Sequence, residues 1–200
     1  MRYPPDQKER AREALLRAGA RLLKTNGFEG VGVDGLAAAA GVTSGAFYSN
    51  FPSKEAMLEA VIGAGLGEPF LMDTDSATRA EARARLLSFV EEYLSADHSL
   101  DPAEGCVMPA LSADVSRAQP RVKDAYQRKM TAFVDRVAFL LDGDEADRHR
   151  RAWSIVALMV GAILISRGLP EQSESRTAPL GAALRTLATL IGFEADDVQQ

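Results

Sequence analysis

The chain has 200 residues, 46% of them apolar and 26% charged, and a net charge of -5. These are the fractions of a soluble globular protein, long enough for one compact core or for a small module fused to a larger one. A single cysteine, Cys106, excludes an intrachain disulfide, and the longest apolar run, Ala152 to Ile165, has 14 residues, short of the about 18–20 that a membrane span needs. The N-terminal stretch MRYPPDQKER is polar. It lacks the apolar core of a signal peptide, and with no disulfide framework a cytoplasmic protein is expected. Charge is unevenly spread: residues 1–65 carry eight Lys/Arg against seven Asp/Glu, while the remainder is net -6. The first module is therefore the one compatible with a polyanion.

Helical periodicity dominates, and no alternating strand pattern stands out. Ala11, Ala14, Leu15, Ala18 and Leu22 fall at helical spacing on one face, with Arg10, Arg17, Arg21 and Lys24 on another; a basic stripe of this kind reads as a solvated surface. The helix is expected to stop at Asn26-Gly27, where glycine takes a left-handed C′ conformation. After the loop EGVGV, a short helix is predicted over Asp34 to Ala40, with Asp34 near its positive N-terminal dipole. Gly41-Val42 makes a tight turn, and Thr43 caps a second short helix, Ser44 to Asn50. Phe51-Pro52 stops it, and Ser53 caps a further helix from Lys54 towards Gly63 or Gly65.

The stretch GAGLGEPFLMDTDSAT is read as a hinge. Beyond it five longer helices are predicted, roughly 77–96, 104–116, 119–141, 144–167 and 178–192, with breaks at DHSLDPAE, Gln119-Pro120, Asp142-Gly143 and GLPEQSESRTAP. Pro109 is tolerated if it lies in a first helical turn. The helix containing Ala152 to Ile165 is apolar nearly all round and must be covered on several sides. It is either the central core helix, or it packs one side on its own chain and the other on a second copy, with Gly161 and Ala162 permitting close approach. Leu180, Leu184, Leu187, Ala188 and Ile191 form a stripe on the last helix, so two helices from each chain could build an intermolecular four-helix bundle.

The segment VDGLAAAAGVTSGAFYSNFPSKEAML has the physical logic of a helix-turn-helix. Leu36, Ala37 and Ala40 face inward, Gly41 supplies the turn, and Val42, Phe47 and Phe51 hold the second helix. Thr43, Ser44, Gly45, Ala46, Tyr48, Ser49 and Asn50 are left to face outward, and none of them carries a carboxylate. This segment, preceded by the long helix RAREALLRAGARLLKTNGFEG, resembles the DNA-binding signature of the TetR family of one-component transcriptional regulators over about residues 8–64.

The resemblance implies an all-α fold. An N-terminal helix-turn-helix domain (1–52) leads through a connecting helix and hinge (53–76) to a C-terminal ligand-binding and dimerisation domain (77–200). It also implies roles by position. Thr43 and Ser44 donate to phosphate together with backbone N–H groups. Tyr48 bonds a phosphate through its hydroxyl, and Lys54 pairs with another. Gly45, Ala46, Ser49 and Asn50 lie at the major-groove edge, Ala46 suited to a thymine methyl and Asn50 to a base or phosphate. Gly32-Val33 stands where the family often has a capping Thr or Ser, and Ser49-Asn50 where an aromatic or histidine is common.

Expected partners are double-stranded operator DNA, a second copy of the chain through its last two helices, and a small-molecule effector, with no membrane. The expected effector site is lined by Phe89, Tyr93, Met108, Tyr126, Met130, Phe133, Trp153 and Met159, bulky side chains with a polar or adaptable tip; plain core packing is the other reading of each. The expected function is a repressor released by its ligand, the two recognition helices being spaced about 34–36 Å apart in the DNA-binding conformer. Movement is expected to pass through the chain between Gly63 and Pro69. Control by a protein partner, or by oxidation of Cys106, is the alternative. No catalytic residue, metal site or cofactor is expected: His98 and His149 stand in no catalytic pattern, and no P-loop, GxGxxG or GxSxG occurs.

Overall fold

The computed structural model describes residues 5–66 and 78–194, and among them every regular element is helical. The helices are α1 (Pro5–Asn26), α2 (Val33–Ala39), α3 (Ser44–Asn50), α4 (Lys54–Gly65), α5 (Arg79–Tyr93), α6 (Ala96–Leu100), α7 (Val107–Arg117), α8 (Pro120–Leu140), α9 (Glu145–Gly168) and α10 (Ala178–Ile191), with a 3-10 turn over Glu174–Thr177. The five predicted C-terminal helices are present with ends shifted by a few residues. The short α6 is additional: Ser95 accepts a hydrogen bond from His98 N and starts a single turn inside the predicted break. Most of the predicted hinge, residues 67–77, lies outside the described residues.

The described residues form two compact units. The first contains residues up to Leu66 together with 102–129; the second contains the described residues up to Asp101 together with those from Met130 onward.

In the first unit, α1 packs against α2, α3, α4 and α7. The buried stripe of α1 is Leu15, Gly19 and Leu23, one position round from the expected alanine face. Gly19 explains the offset. A Cβ there would lie 2.6 Å from Met57 Sδ, so the glycine leaves the room that the Met57 thioether fills. Leu36, Phe47, Phe51, Leu58, Ile62, Met108 and Leu111 complete the unit's core. Pro109 falls in the first turn of α7, where its missing N–H costs nothing.

In the second unit, α10 packs on α9 and α5, and α6 on α9 and α5. A capping box starts α5: Thr78 Oγ1 accepts from Glu81 N at 3.3 Å, and Thr78 N donates to Glu81 Oε2 at 2.9 Å. The α8–α9 turn needs Gly143, at φ 116°, and is held by arginines. Arg79 donates to Leu141 O at 3.1 Å, Arg83 pairs with the Asp142 carboxylate, and Arg151 donates to Asp142 O and, at 2.9 Å, to Leu190 O.

The faces of α9 differ in burial. Ala152, Ile155, Val156, Met159, Ala162, Ile163 and Ser166 are buried, whereas Trp153, Leu164 and Ile165 are 48%, 47% and 60% exposed. On α10, Leu180, Leu187, Ala188 and Ile191 of the predicted stripe are buried within the chain's own unit and Leu184 is half-buried, while Leu100 and Phe139 are exposed along with the three α9 side chains.

Candidate nucleic-acid interface

The turn between α2 and α3 is a Schellman motif. Gly41 stands at φ 69°, Val42 N donates to Ala37 O and Gly41 N to Ala38 O, both at 3.0 Å, which satisfies the last carbonyls of α2. Gly32 caps α2 without a side-chain bond, as the missing Thr or Ser in the sequence leads one to expect. Thr43 caps α3 by accepting from Ala46 N at 3.2 Å, and Ser53 caps α4 by accepting from Ala56 N at 3.1 Å.

Phe47 is fully buried and fixes the inner face of α3, its ring 5.9 Å from that of Phe51 and 5.4 Å from that of Tyr48. The outer face carries Thr43, Gly45, Tyr48 and Ser49, all exposed, with Ala46 half-buried beside them. Tyr48 is 56% exposed, so its hydroxyl stands in solvent while its ring rests edge-on against Phe47. The far end of α3 is clamped from α1: Arg12 donates to Asn50 O at 3.1 Å, and its guanidinium lies 4.5 Å from the Phe51 ring centre.

Three side chains expected at DNA are turned into the protein here. Ser44 Oγ donates to Asp34 Oδ1 at 2.6 Å, so its hydroxyl hydrogen already has an acceptor. Asn50 Nδ2 donates to Ala46 O at 2.8 Å, closing back on its own helix. Lys54 Nζ donates to Phe28 O at 2.8 Å and Val31 O at 3.2 Å and sits 4.1 Å from the Phe28 ring centre. Two of its three N–H groups therefore hold the α1–α2 loop. Ser49 Oγ donates to Ala46 O at 2.9 Å and accepts from Asn50 Nδ2 at 3.4 Å. Asp34, Arg12 and Phe28 complete the site although sequence reasoning did not select them as site residues. The ten-residue separation of Asp34 from Ser44 carries no periodic signal, since it spans two helices and a turn.

α4 is tied to the start of α8. Arg121 donates to Ser53 Oγ at 3.1 Å and approaches Glu59 at 3.7 Å, and a groove lined by Glu55, Gln119, Pro120 and Arg121 runs beside it. Backbone N–H donation within its own turn, then the Ser53 hydroxyl, holds the Glu55 carboxyl below its ordinary range. On the other side of α1, Lys24 donates to Gly105 O at 2.8 Å and Arg21 pairs with Glu104, which fixes the segment leading into α7.

The residues expected to line an effector site divide between the units. In the first, Met108 is buried, and the Tyr126 hydroxyl lies 2.8 Å from Ser112 Oγ, which itself donates to Met108 O at 2.6 Å; burial pushes the Tyr126 phenol up. In the second, Phe89, Tyr93 and Phe133 form an aromatic cluster with ring centres 6.0–6.2 Å apart, and His98 stacks on Tyr93 at 4.7 Å. Met130 and Met159 are buried in the same unit. Trp153 lies on the outward face of α9, 48% exposed and about 100° round the helix from the buried Ala152.

Residues 15–61 match the family described as bacterial regulatory proteins, tetR family. The HTH-type transcriptional repressor DhaR of Mycobacterium sp. (strain GP1) is 27% identical over 164 residues, covering 76% of this chain and 80% of that one. Among solved structures, a regulatory protein TetR from Rhodobacter sphaeroides superposes with a TM-score of 0.70 at 27% identity, covering 90% of this chain and 98% of that one. The reduced form of E. coli NemR superposes with a TM-score of 0.71 at 24% identity, covering 90% and 95%.

Proposed function

Because the chain belongs to the TetR family and is a helix-turn-helix transcription regulator, we propose that it is a repressor that binds its operator as a dimer and is released by a small molecule. The observation that carries this reading is the outer face of α3. It offers exposed Thr43, Gly45, Tyr48 and Ser49 on a helix whose inner face is locked by Phe47 and whose ends are held by Asp34 and Arg12. Thr43 and Tyr48 supply hydroxyls to phosphate, Gly45, Ala46 and Ser49 meet base edges, and Ser44, Asn50 and Lys54 join them once DNA competes for their donors. The dimer forms through the last two helices, with Trp153, Leu164 and Ile165 at its centre; these three large apolar side chains are exposed on one helix, and clustered exposed apolar side chains mark interaction surfaces. The effector is apolar to amphipathic and meets the aromatic cluster of Phe89, Tyr93 and Phe133 or the Met108–Tyr126 region. The protein acts in the cytoplasm, where its operator is.

The test is fluorescence anisotropy with DNA flanking the protein's own gene, against scrambled DNA, across a salt series. Specific binding that weakens in Tyr48→Phe supports the reading. Failure to prefer any fragment from a genomic library removes it. Addition of candidate effectors to the preformed complex then separates ligand release from constitutive binding.

A second reading, control through oxidation of Cys106, draws on the position of that residue. Its sulfur caps α7 by accepting from Met108 N at 3.4 Å, next to Gly105, which Lys24 of α1 holds. Loss of DNA binding on peroxide treatment that is absent in Cys106→Ser would favour it.

A further inference from the structure

The side chains of α3 that face outward carry no formal charge, yet a carboxylate stands beside them. Asp34, exposed in the first turn of α2, accepts the Ser44 hydroxyl at 2.6 Å through Oδ1. Oδ2 is left for a second donor, and a carboxylate accepts but never donates while ionised. Any DNA that docks against α3 therefore meets a fixed negative charge next to Ser44. Phosphate oxygens are repelled by it. Only a donor edge satisfies it, and in the major groove those edges are the exocyclic amino groups of cytosine and adenine.

We propose that Asp34 is a specificity determinant of DNA recognition: it penalises docking in which a phosphate approaches Ser44 and rewards registers that bring a base amino group to Oδ2. The proposal rests on the DNA-binding reading above and adds to it a residue that discriminates by repulsion as well as by attraction. Ser44 is the switchable partner, since its hydroxyl turns to phosphate only when Asp34 has found a donor on a base.

The experiment selects duplexes from a random-sequence library with the full chain, wild type, Asp34→Asn and Ser44→Ala, and measures affinity for the enriched duplex and for a scrambled one at several salt concentrations. Asp34→Asn is nearly isosteric and keeps an acceptor for Ser44, so it tests charge with the geometry retained. The expected result is a gain of roughly fivefold in affinity for scrambled duplex, the size of one close charge repulsion in water. A steeper salt dependence and about tenfold loss of discrimination at one base position per half-site should accompany it. Ser44→Ala, which removes the tie and a phosphate donor but keeps the charge, should bind every duplex more weakly while its order of base preference stays that of the wild type. The proposal is overturned if Asp34→Asn enriches the same sequences with unchanged scrambled affinity, or if it and Ser44→Ala weaken all DNA equally, which is what a merely structural tie would do. If the wild type itself enriches no sequence, the DNA-recognition reading fails first and this assignment falls with it; circular dichroism of each variant separates both outcomes from misfolding.

Discussion

The guanidinium of Arg12 lies over Phe51, 4.5 Å from the ring centre, and donates at the same time to Asn50 O at 3.1 Å. A cation is thereby placed at the carbonyl end of α3, where the helix dipole favours it, and on the face of the aromatic ring that ends the helix. Arg12→Ala should cost about 1 kcal/mol, confined to the last turn of α3. Hydrogen exchange of the Asn50 and Phe51 amides is expected to accelerate roughly fivefold, with those of α4 unchanged. Equal acceleration in both helices would mean that Arg12 supports the unit as a whole.

Lys54 ties the α1–α2 loop to α4 through Phe28 O and Val31 O. Lys54→Met keeps the stem and removes the charge and donors, leaving two partly buried carbonyls without their partner. The variant should lose about 1–3 kcal/mol of stability in the absence of DNA, read by urea unfolding. An unchanged midpoint would leave the lysine a role at phosphate only.

Ser99 and Ser166 form a buried hydroxyl pair, 2.8 Å apart. Ser166→Ala strands the Ser99 hydroxyl and should cost about 1–3 kcal/mol, whereas replacing both serines by alanine should cost less than the sum of the two single changes. Additive single and double effects would show that the two hydroxyls are independently satisfied.

His149 bridges α9 to α8 at the surface. Nδ1 meets Glu145 O at 3.0 Å and Nε2 meets Asp135 Oδ1 at 3.2 Å, an arrangement complete only when both ring nitrogens carry protons. The carbonyl bond first and the Asp135 carboxylate second raise its pKa above the ordinary 6.5. A raised folded-state pKa gives stability that is fully present below the unfolded value and is lost as pH rises through the folded one. The melting temperature of wild type minus that of His149→Gln should be largest below about pH 6.5 and shrink above it. A difference that grows with pH would contradict the bridge.

The parts of the fold that read directly from sequence are those fixed by local chemistry. Gly41 is the one residue type that closes a Schellman turn without strain, Thr43 and Ser53 are cap residues followed by helix formers, and the Phe47/Phe51 spacing puts both rings on one side of α3. Contacts between distant segments carry no such mark. The Asp34–Ser44 bond, the Arg12–Phe51 stack and the turning-in of Lys54 depend on where helices come to rest against one another. Gly19 is an intermediate case: it looks like a weak point in a helix until the approach of Met57 gives it a reason. Trp153 shows the limit of a composition argument. On a helix apolar nearly all round, size and polarity of a side chain do not say which face it occupies; the burial of Ala152 and Ile155 does.

The contact at Gly19 also has a mechanical meaning. Where two helices are separated by long side chains, a tilt of one is absorbed by rotamer changes in the gap. Between α1 and α4 the gap at this point holds one such side chain, the Met57 thioether, whose Sδ reaches to 2.6 Å from where a Gly19 Cβ would stand. A tilt of α4, which Arg121 grips at Ser53 and Glu59, is therefore met by rotamer changes of this methionine before it reaches α1, which holds the end of α3 through Arg12. The glycine thus leaves room for an adaptable thioether, and the joint between the two helices is a cushioned one.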